Sequence, residues 1–218
     1  MNRSFACGAA ALCVTLLCQS GCTVMSQHPF VEMDKVRLDK RILGHWRPAI
    51  QDVDKTFGLP QVTEAELGHI FVGRPATSRL YGAPKEAGMS HLVNWGPNHE
   101  VSSDAFVFFT AKIGTAHYLD LMPCGVPTEP VSWAAIAGQH HLFLKYEIDD
   151  DRLTLWPPNV EATIALVDAG KLKGKVTRGF ARGVELLESA ESWSRFLQTE
   201  EGAALFKDDG KIVVERAK

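Results

Sequence analysis

The chain has 218 residues, 45% of them hydrophobic and 22% charged, with a formal net charge of −3. That balance is the composition of a globular domain. A mildly acidic chain without a block of Lys and Arg argues against nucleic acid as a partner, because neutralising phosphates needs clustered cations. The first element in chain order is an export signal over 1–21: Arg3, an apolar stretch from Phe5 to Leu17, then Gln19-Ser20-Gly21 ahead of Cys22. The apolar stretch is too short for a membrane span, which needs roughly 20 apolar residues, and nothing later in the chain is long enough to span. Cleavage before Cys22 leaves 218 less 21, or 197 residues, enough for one sizeable domain over 31–218. Loss of Arg3 moves the net charge from −3 to −4.

Ser20-Gly21-Cys22 resembles the lipobox of bacterial lipoproteins, with Gln19 standing where that family usually has Leu. The resemblance implies acylation of Cys22 and, because Thr23 rather than Asp follows it, residence at the outer membrane facing the periplasm. Each buried methylene of an acyl chain adds about 0.8 kcal/mol of membrane affinity, so several chains on one residue anchor a protein without a transmembrane helix. Of the five cysteines, Cys7, Cys13 and Cys18 leave with the signal and Cys22 takes lipid, which leaves Cys124 with no internal disulfide partner. Pro123 and Gly125 on either side place it in a loop.

Residues 22–30 read as a lipidated tether. Strands are expected at Ile42–Arg47, Ile70–Gly73 and Leu92–Trp95, between Gly- and Pro-bearing loops. From Ala105, Val107, Phe109, Ala111 and Ile113 alternate with Phe106, Phe108, Thr110 and Lys112, the period-two signature of a strand. Gly114-Thr115 is a tight turn into His117–Leu121, so 105–122 predicts a hairpin. A second hairpin joins Leu142–Ile148 to Leu153–Trp156 through Asp149-Asp150-Asp151. Val160–Ala169 predicts a short helix capped by Asn159, Val184–Leu187 a strand, and Ser189 an N-cap for a helix bearing Trp193, Phe196 and Leu197 on one face. Asp208-Asp209-Gly210 then turns the chain into a last strand, Lys211–Glu215. The sum is a mainly β (α+β) fold: an antiparallel barrel-like or strongly curved sheet with one or two short helices, since closure removes sticky edges.

Gly44-His45-Trp46 resembles the Gly-x-Trp signature that opens the first strand of the lipocalin and wider calycin group. That resemblance implies a barrel plugged at one end by the tryptophan, and an apolar ligand lined by Trp46, Phe106, Phe108 and Tyr146. The segment from Ala105 to Trp156, with Tyr118–Pro123 and His141–Asp149, also resembles a recurrent pattern of uncharacterised bacterial envelope proteins, which carries no known activity.

Motifs for chemistry are sparse. There is no Gly-x-Ser-x-Gly elbow, no phosphate-cradling glycine loop and no His-Glu-x-x-His helix, and no cofactor or metal is expected. His140 and His141 are adjacent and on a strand point to opposite faces; a site from His91, His99, His117 and His140 needs tertiary convergence. The acidic triplet at 149–151 lacks the alternating ligands and glycine of a calcium loop, and Asp120 and Glu147 fall on the polar sides of their strands. Three classes follow. The first is a noncatalytic envelope lipoprotein, a binding or structural module that contacts an envelope protein. The second is a calycin-like carrier of a small apolar ligand, and the third an enzyme built from His117, Asp120 and Cys124.

Overall fold

The computed structural model describes residues 23–48, 68–76, 80–95, 101–124, 130–179, 182–207 and 210–217. The strands are β1 Thr23–Ser26, β2 Gly44–Pro48, β3 His69–Gly73, β4 Leu80–Tyr81, β5 Gly88–Trp95, β6 Val101–Ile113, β7 Ala116–Pro123, β8 Val131–Ser132, β9 Leu142–Asp149, β10 Arg152–Trp156, β11 Gly174–Thr177, β12 Gly183–Leu186 and β13 Ile212–Arg216. The helices are α1 Trp133–Ile136, α2 Val160–Asp168, α3 Ala190–Phe196 and α4 Glu200–Ala203, with a 3-10 turn at Lys40–Ile42.

Eight strands close into a barrel in the order β2-β3-β5-β6-β7-β9-β10-β13, every neighbouring pair antiparallel. This is the closed antiparallel sheet expected from the hairpins. The first hairpin pairs Ile113 with Ala116 across Gly114, whose φ of 61° suits a residue without a Cβ. The second pairs Asp149 with Arg152, and Asp150 takes φ 49°, a left-handed conformation that Asp tolerates better than most residues. The contact that closes the ring, β13 to β2, joins Val214 to Pro48 and Arg216 to Trp46, the last and first strands of the barrel in chain order.

Two apolar cores result. The barrel interior holds Ile42, Trp46, Phe108, Leu119, Leu144, Tyr146, Leu153 and Val214. A larger outer core lies between one wall of the barrel and the segments that cover it. There Phe109 meets Trp133 edge-on at 5.5 Å, Phe143 meets Trp193 at 5.0 Å and Tyr118 meets Phe206 at 5.5 Å. Strands β6, β7 and β9 are therefore buried on both faces, which is why the run Ala105–Ala111 is apolar almost throughout. Asn159 Oδ1 accepts from the Ala162 amide at 2.9 Å and Ser189 Oγ from Ser192 at 3.3 Å, so both expected caps start helices: α2 lies on β1, β11 and β12, and α3 brings Trp193 against Phe143 of the wall.

Several expectations are corrected. Residues after Cys22 are not a free tether: β1 pairs in parallel with β12, Thr23 opposite Gly183, and Val24, Phe30 and Val31 are buried in the outer core. Val24 and Ser26 point inward at alternate positions, and Ser26 is bound to His141 through its backbone amide and carbonyl. The strand expected from Ile42 begins at Gly44, because Asp39 caps the 3-10 turn by accepting from the Arg41 amide. Asp120 is not on a polar face but 3% exposed under the N-terminal segment. The leader, Cys22, His99 and Asp208-Asp209 lie outside the described residues.

Candidate functional site

Antiparallel order puts one set of strand ends, those of Pro48, His69, Leu142 and Trp156, at one end of the barrel, and Gly44, Gly88, Ile113 and Arg216 at the other. Inward residues come in pairs from six of the eight strands by the two-residue alternation: Ile70 and Val72, Ser90 and Leu92, Phe106 and Phe108, Leu119 and Leu121, Leu142 and Leu144, Leu153 and Leu155. Between them is an apolar cavity of about 110 Å³. Its floor is Ile42 and Trp46, and at the Leu142 end its lining continues over Pro157, Pro158 and Val160 to Thr23 and Val24. Among the described residues, Thr23 and Ser90 are the polar ones in that lining. Gly88 makes room for the wall, since a Cβ there would fall 2.1 Å from the Phe108 ring.

Polar chemistry is confined to the opposite end. Trp46, fully buried, donates its indole N–H to the Ile42 carbonyl at 2.7 Å. The Arg216 guanidinium lies 4.2 Å from the Trp46 ring and donates to the Leu43 and Arg41 carbonyls at 3.0 and 2.8 Å. One side chain from the last strand thus ties the 3-10 turn across the barrel end, through a cation–π contact and two charge-assisted hydrogen bonds. Tyr146 donates its hydroxyl to Asp39 Oδ2 at 3.1 Å, and the Thr110 hydroxyl donates to the Arg37 carbonyl while accepting from the Asp39 amide at 2.8 Å. Burial pushes the Asp39 carboxyl up, but hydrogen bonds from Arg41 and Tyr146 outweigh it and hold it below its ordinary value. Burial and the nearby Arg41 hold His117 below the usual imidazole range.

Of the residues expected to line a ligand, Trp46, Phe106 and Phe108 do line the cavity. Tyr146 does not: it is inward and fully buried, but two residues beyond Leu144 it reaches the polar network at the closed end, beside His117 at 5.5 Å between rings. The leucines and isoleucines of the wall carried only the alternation as a signal. That signal does not say which apolar face is the interior when both are buried.

His117, Asp120 and Cys124 are not brought together. His117 faces the interior, whereas Asp120, three residues on, faces the outer core and pairs with His141 Nδ1 at 2.7 Å. Burial raises the Asp120 carboxyl, opposed by His141 and by the Phe30 amide. Ser26, fully buried beside this pair, donates to the His28 carbonyl at 2.7 Å. The cluster pins β1 to β9 and is closed to solvent. The Cys124 thiol is pushed up to about 11 by burial, so little of it is the nucleophilic thiolate at neutral pH. His140 pairs with Glu185 at 3.0 Å on the side opposite His141. On the outer barrel face His45 Nε2 and His69 Nδ1 lie 2.7 Å apart, stacked near Phe71. Among the described residues no group of three or more metal-ligating side chains occurs, and no helix is long and apolar enough to cross a membrane. Comparison of the chain with protein-family models, with curated proteins and with solved structures finds no match.

Proposed function

We propose that this chain is an envelope lipoprotein, anchored by lipid on Cys22 at the periplasmic face of the outer membrane, whose barrel carries a slender apolar ligand. The observation that carries the reading is the cavity: a closed barrel whose described lining is apolar apart from Thr23 and Ser90. Small ligands are bound in concave, mostly apolar sites, and the mouths of β-barrels are among the common places. Support for the calycin-like resemblance comes from Trp46, the tryptophan of Gly44-His45-Trp46, buried at one barrel end under Arg216. The lipobox residues Ser20-Gly21-Cys22 support the anchor.

Size narrows the ligand class. Drug-sized molecules occupy roughly 300–1,000 Å³, and this cavity is about 110 Å³. An acyl chain or a small aromatic molecule fits these bounds, and a steroid or haem does not. The same smallness favours a second reading, in which the barrel is filled and the protein is a noncatalytic module contacting an envelope protein.

Native mass spectrometry of the chain from residue 22 on, carrying Cys22→Ser, separates the two. An added mass that is reproducible and lost on denaturation is the carrier outcome; a clean apoprotein mass refutes it and sends the search to crosslinked envelope partners. For the anchor, Cys22→Ser is expected to abolish incorporation of labelled fatty acid, and a variant that still incorporated it would refute lipidation at this residue.

A further inference from the structure

A second cavity, of about 300 Å³, lies at the polar end of the barrel, and its lining comes from the described segments 35–41 and 110–117 and from Tyr146. Adjacent antiparallel strands supply one side: Lys112 of β6 stands opposite His117 of β7, which stands opposite Tyr146 of β9. Neighbouring strands are ~4.8 Å apart, so the three polar side chains form one row. The segment before β2 supplies the other side. Its Arg37 amide donates to the Thr110 carbonyl at 2.9 Å and its Asp39 amide to the Thr110 hydroxyl at 2.8 Å, which holds Lys35, Arg37 and Arg41 at the cavity. Thr110, Ala111 and Tyr146 are buried at its base, whereas Lys35, Arg37, Arg41 and Lys112 are exposed, so the cavity opens to solvent between cations.

The charges here do not cancel, although the chain as a whole is acidic at −3. Lys35 is paired with Glu32 and Arg41 with Asp39. Arg37 donates to the neutral Asp34 and Val36 carbonyls at 2.7 and 2.6 Å, and among the described residues neither it nor Lys112 is paired with a carboxylate. Nor, among those residues, has either ring nitrogen of the half-buried His117 a hydrogen-bond partner. Held neutral by burial and then by Arg41, that imidazole offers one N–H donor. We propose that this cavity binds a phosphate monoester, with Arg37 and Lys112 matching its two negative charges and His117 donating to a phosphoryl oxygen. A phosphoryl group brings nearly two charges and three strong acceptors at neutral pH, and the guanidinium fork suits a pair of its oxygens. A lone carboxylate would leave one of the two cations unmatched. At about 300 Å³ the cavity reaches the size of small-molecule sites, ~300–1,000 Å³, with room for an organic group beside the phosphoryl. It shares no lining residue with the apolar cavity, so the site stands independently of the carrier reading.

The test is calorimetric titration of the full chain, in a neutral detergent at fixed ionic strength, with glycerol 3-phosphate, inorganic phosphate and sulfate. One saturable site is expected, several-fold tighter for the ester than for either inorganic ion. Removing one charge-assisted contact costs at least ~tenfold in affinity, so Arg37→Gln and Lys112→Gln should each weaken binding by that factor. Lys85→Gln, in an exposed turn outside the cavity, should leave it unchanged. Lys112→Gln breaks no hydrogen bond of the fold among the described residues, so an unchanged melting temperature separates its effect from unfolding. Absence of a saturable site, or binding that survives Lys112→Gln, would overturn the site. Affinity for glycerol 3-phosphate no better than for phosphate or sulfate would overturn the monoester. Lipid headgroups carry the same phosphoryl chemistry, and a second titration, with the protein in phosphatidylcholine vesicles with and without phosphatidic acid, separates the sources. Unchanged affinity supports a soluble ester; a several-fold loss on adding phosphatidic acid supports the headgroup as the occupant of the same site.

Discussion

Ser90 gives the most direct test of whether the barrel is hollow where the structure places the space. It points inward from β5 between Val72 and Phe106 and is, with Thr23, one of two polar residues in the described cavity lining. Ser90→Leu replaces a hydroxyl with an isobutyl group's outer carbons, adding two to three methylene volumes, or roughly 60–90 Å³ at ~30 Å³ each. That fits within the cavity of about 110 Å³. Burying a leucine side chain contributes ~1.5–3 kcal/mol, offset by ~0.5–1 kcal/mol of lost rotamer freedom, so the variant should gain about 1 kcal/mol, in the range usual for cavity filling. For a domain of this size the melting temperature should rise by ~2–4 °C. Differential scanning calorimetry measures the rise, and titration with an apolar fluorophore such as N-phenyl-1-naphthylamine measures the expected loss of binding. A fall of several degrees would mean overpacking and would refute the cavity, and unchanged probe binding would refute its role as the ligand site.

Three further outcomes are expected. Trp46→Phe removes the indole donor to the Ile42 carbonyl and weakens the Arg216 contact; an orphaned buried acceptor costs ~1–3 kcal/mol, so the melting temperature should drop by about 2–12 °C, and a drop under a degree would show that this plug does not hold the closed end. Glu185 is held down to about 2 by hydrogen bonds from His140, then Gln27, then Lys175. Because its folded value lies below the ordinary 4.5, its contribution is present above that pH and lost as pH falls towards about 2. Amide exchange in β1 should accelerate across that acid window, and Glu185→Gln should remove the pH dependence; exchange in β1 that ignores both changes would refute the clamp. Cys124 should alkylate slowly with iodoacetamide at pH 7.5 in the native protein and rapidly in denaturant, since burial pushes its thiol up to about 11; equal rates would show an accessible thiolate.

Much of the architecture was readable from local pattern. Alternation broken by Gly114-Thr115 and by Asp149-Asp150-Asp151 marks the two central hairpins, because turn chemistry and a period of two act within a few residues. Asn159 and Ser189 mark the helix starts for the same reason: a cap satisfies amides only two or three residues away. The strand expected at Ile42 starts at Gly44, because Asp39 caps a 3-10 turn over Lys40–Ile42; Arg216, over 170 residues away in the chain, then donates to the Leu43 and Arg41 carbonyls.

What the sequence by itself determined, then, is the strands of the barrel, two of their hairpins and the helices capped by Asn159 and Ser189, each governed by short-range sterics and hydrogen bonding; β1, β4, β8 and β11 carried no such local signal. Which apolar face became the interior was decided only by tertiary structure. Phe106 and Phe108 face the barrel while Val107 and Phe109 face the covering layer, and both sets are equally apolar, so no periodicity separates them. Closure of β13 on β2, the burial of Asp120 against His141, the shift of Tyr146 to the polar end and the placement of Thr23 in the cavity lining all depend on contacts between residues far apart in sequence. Those contacts form only once the sheet has curled, because curvature sets which ends of which strands meet.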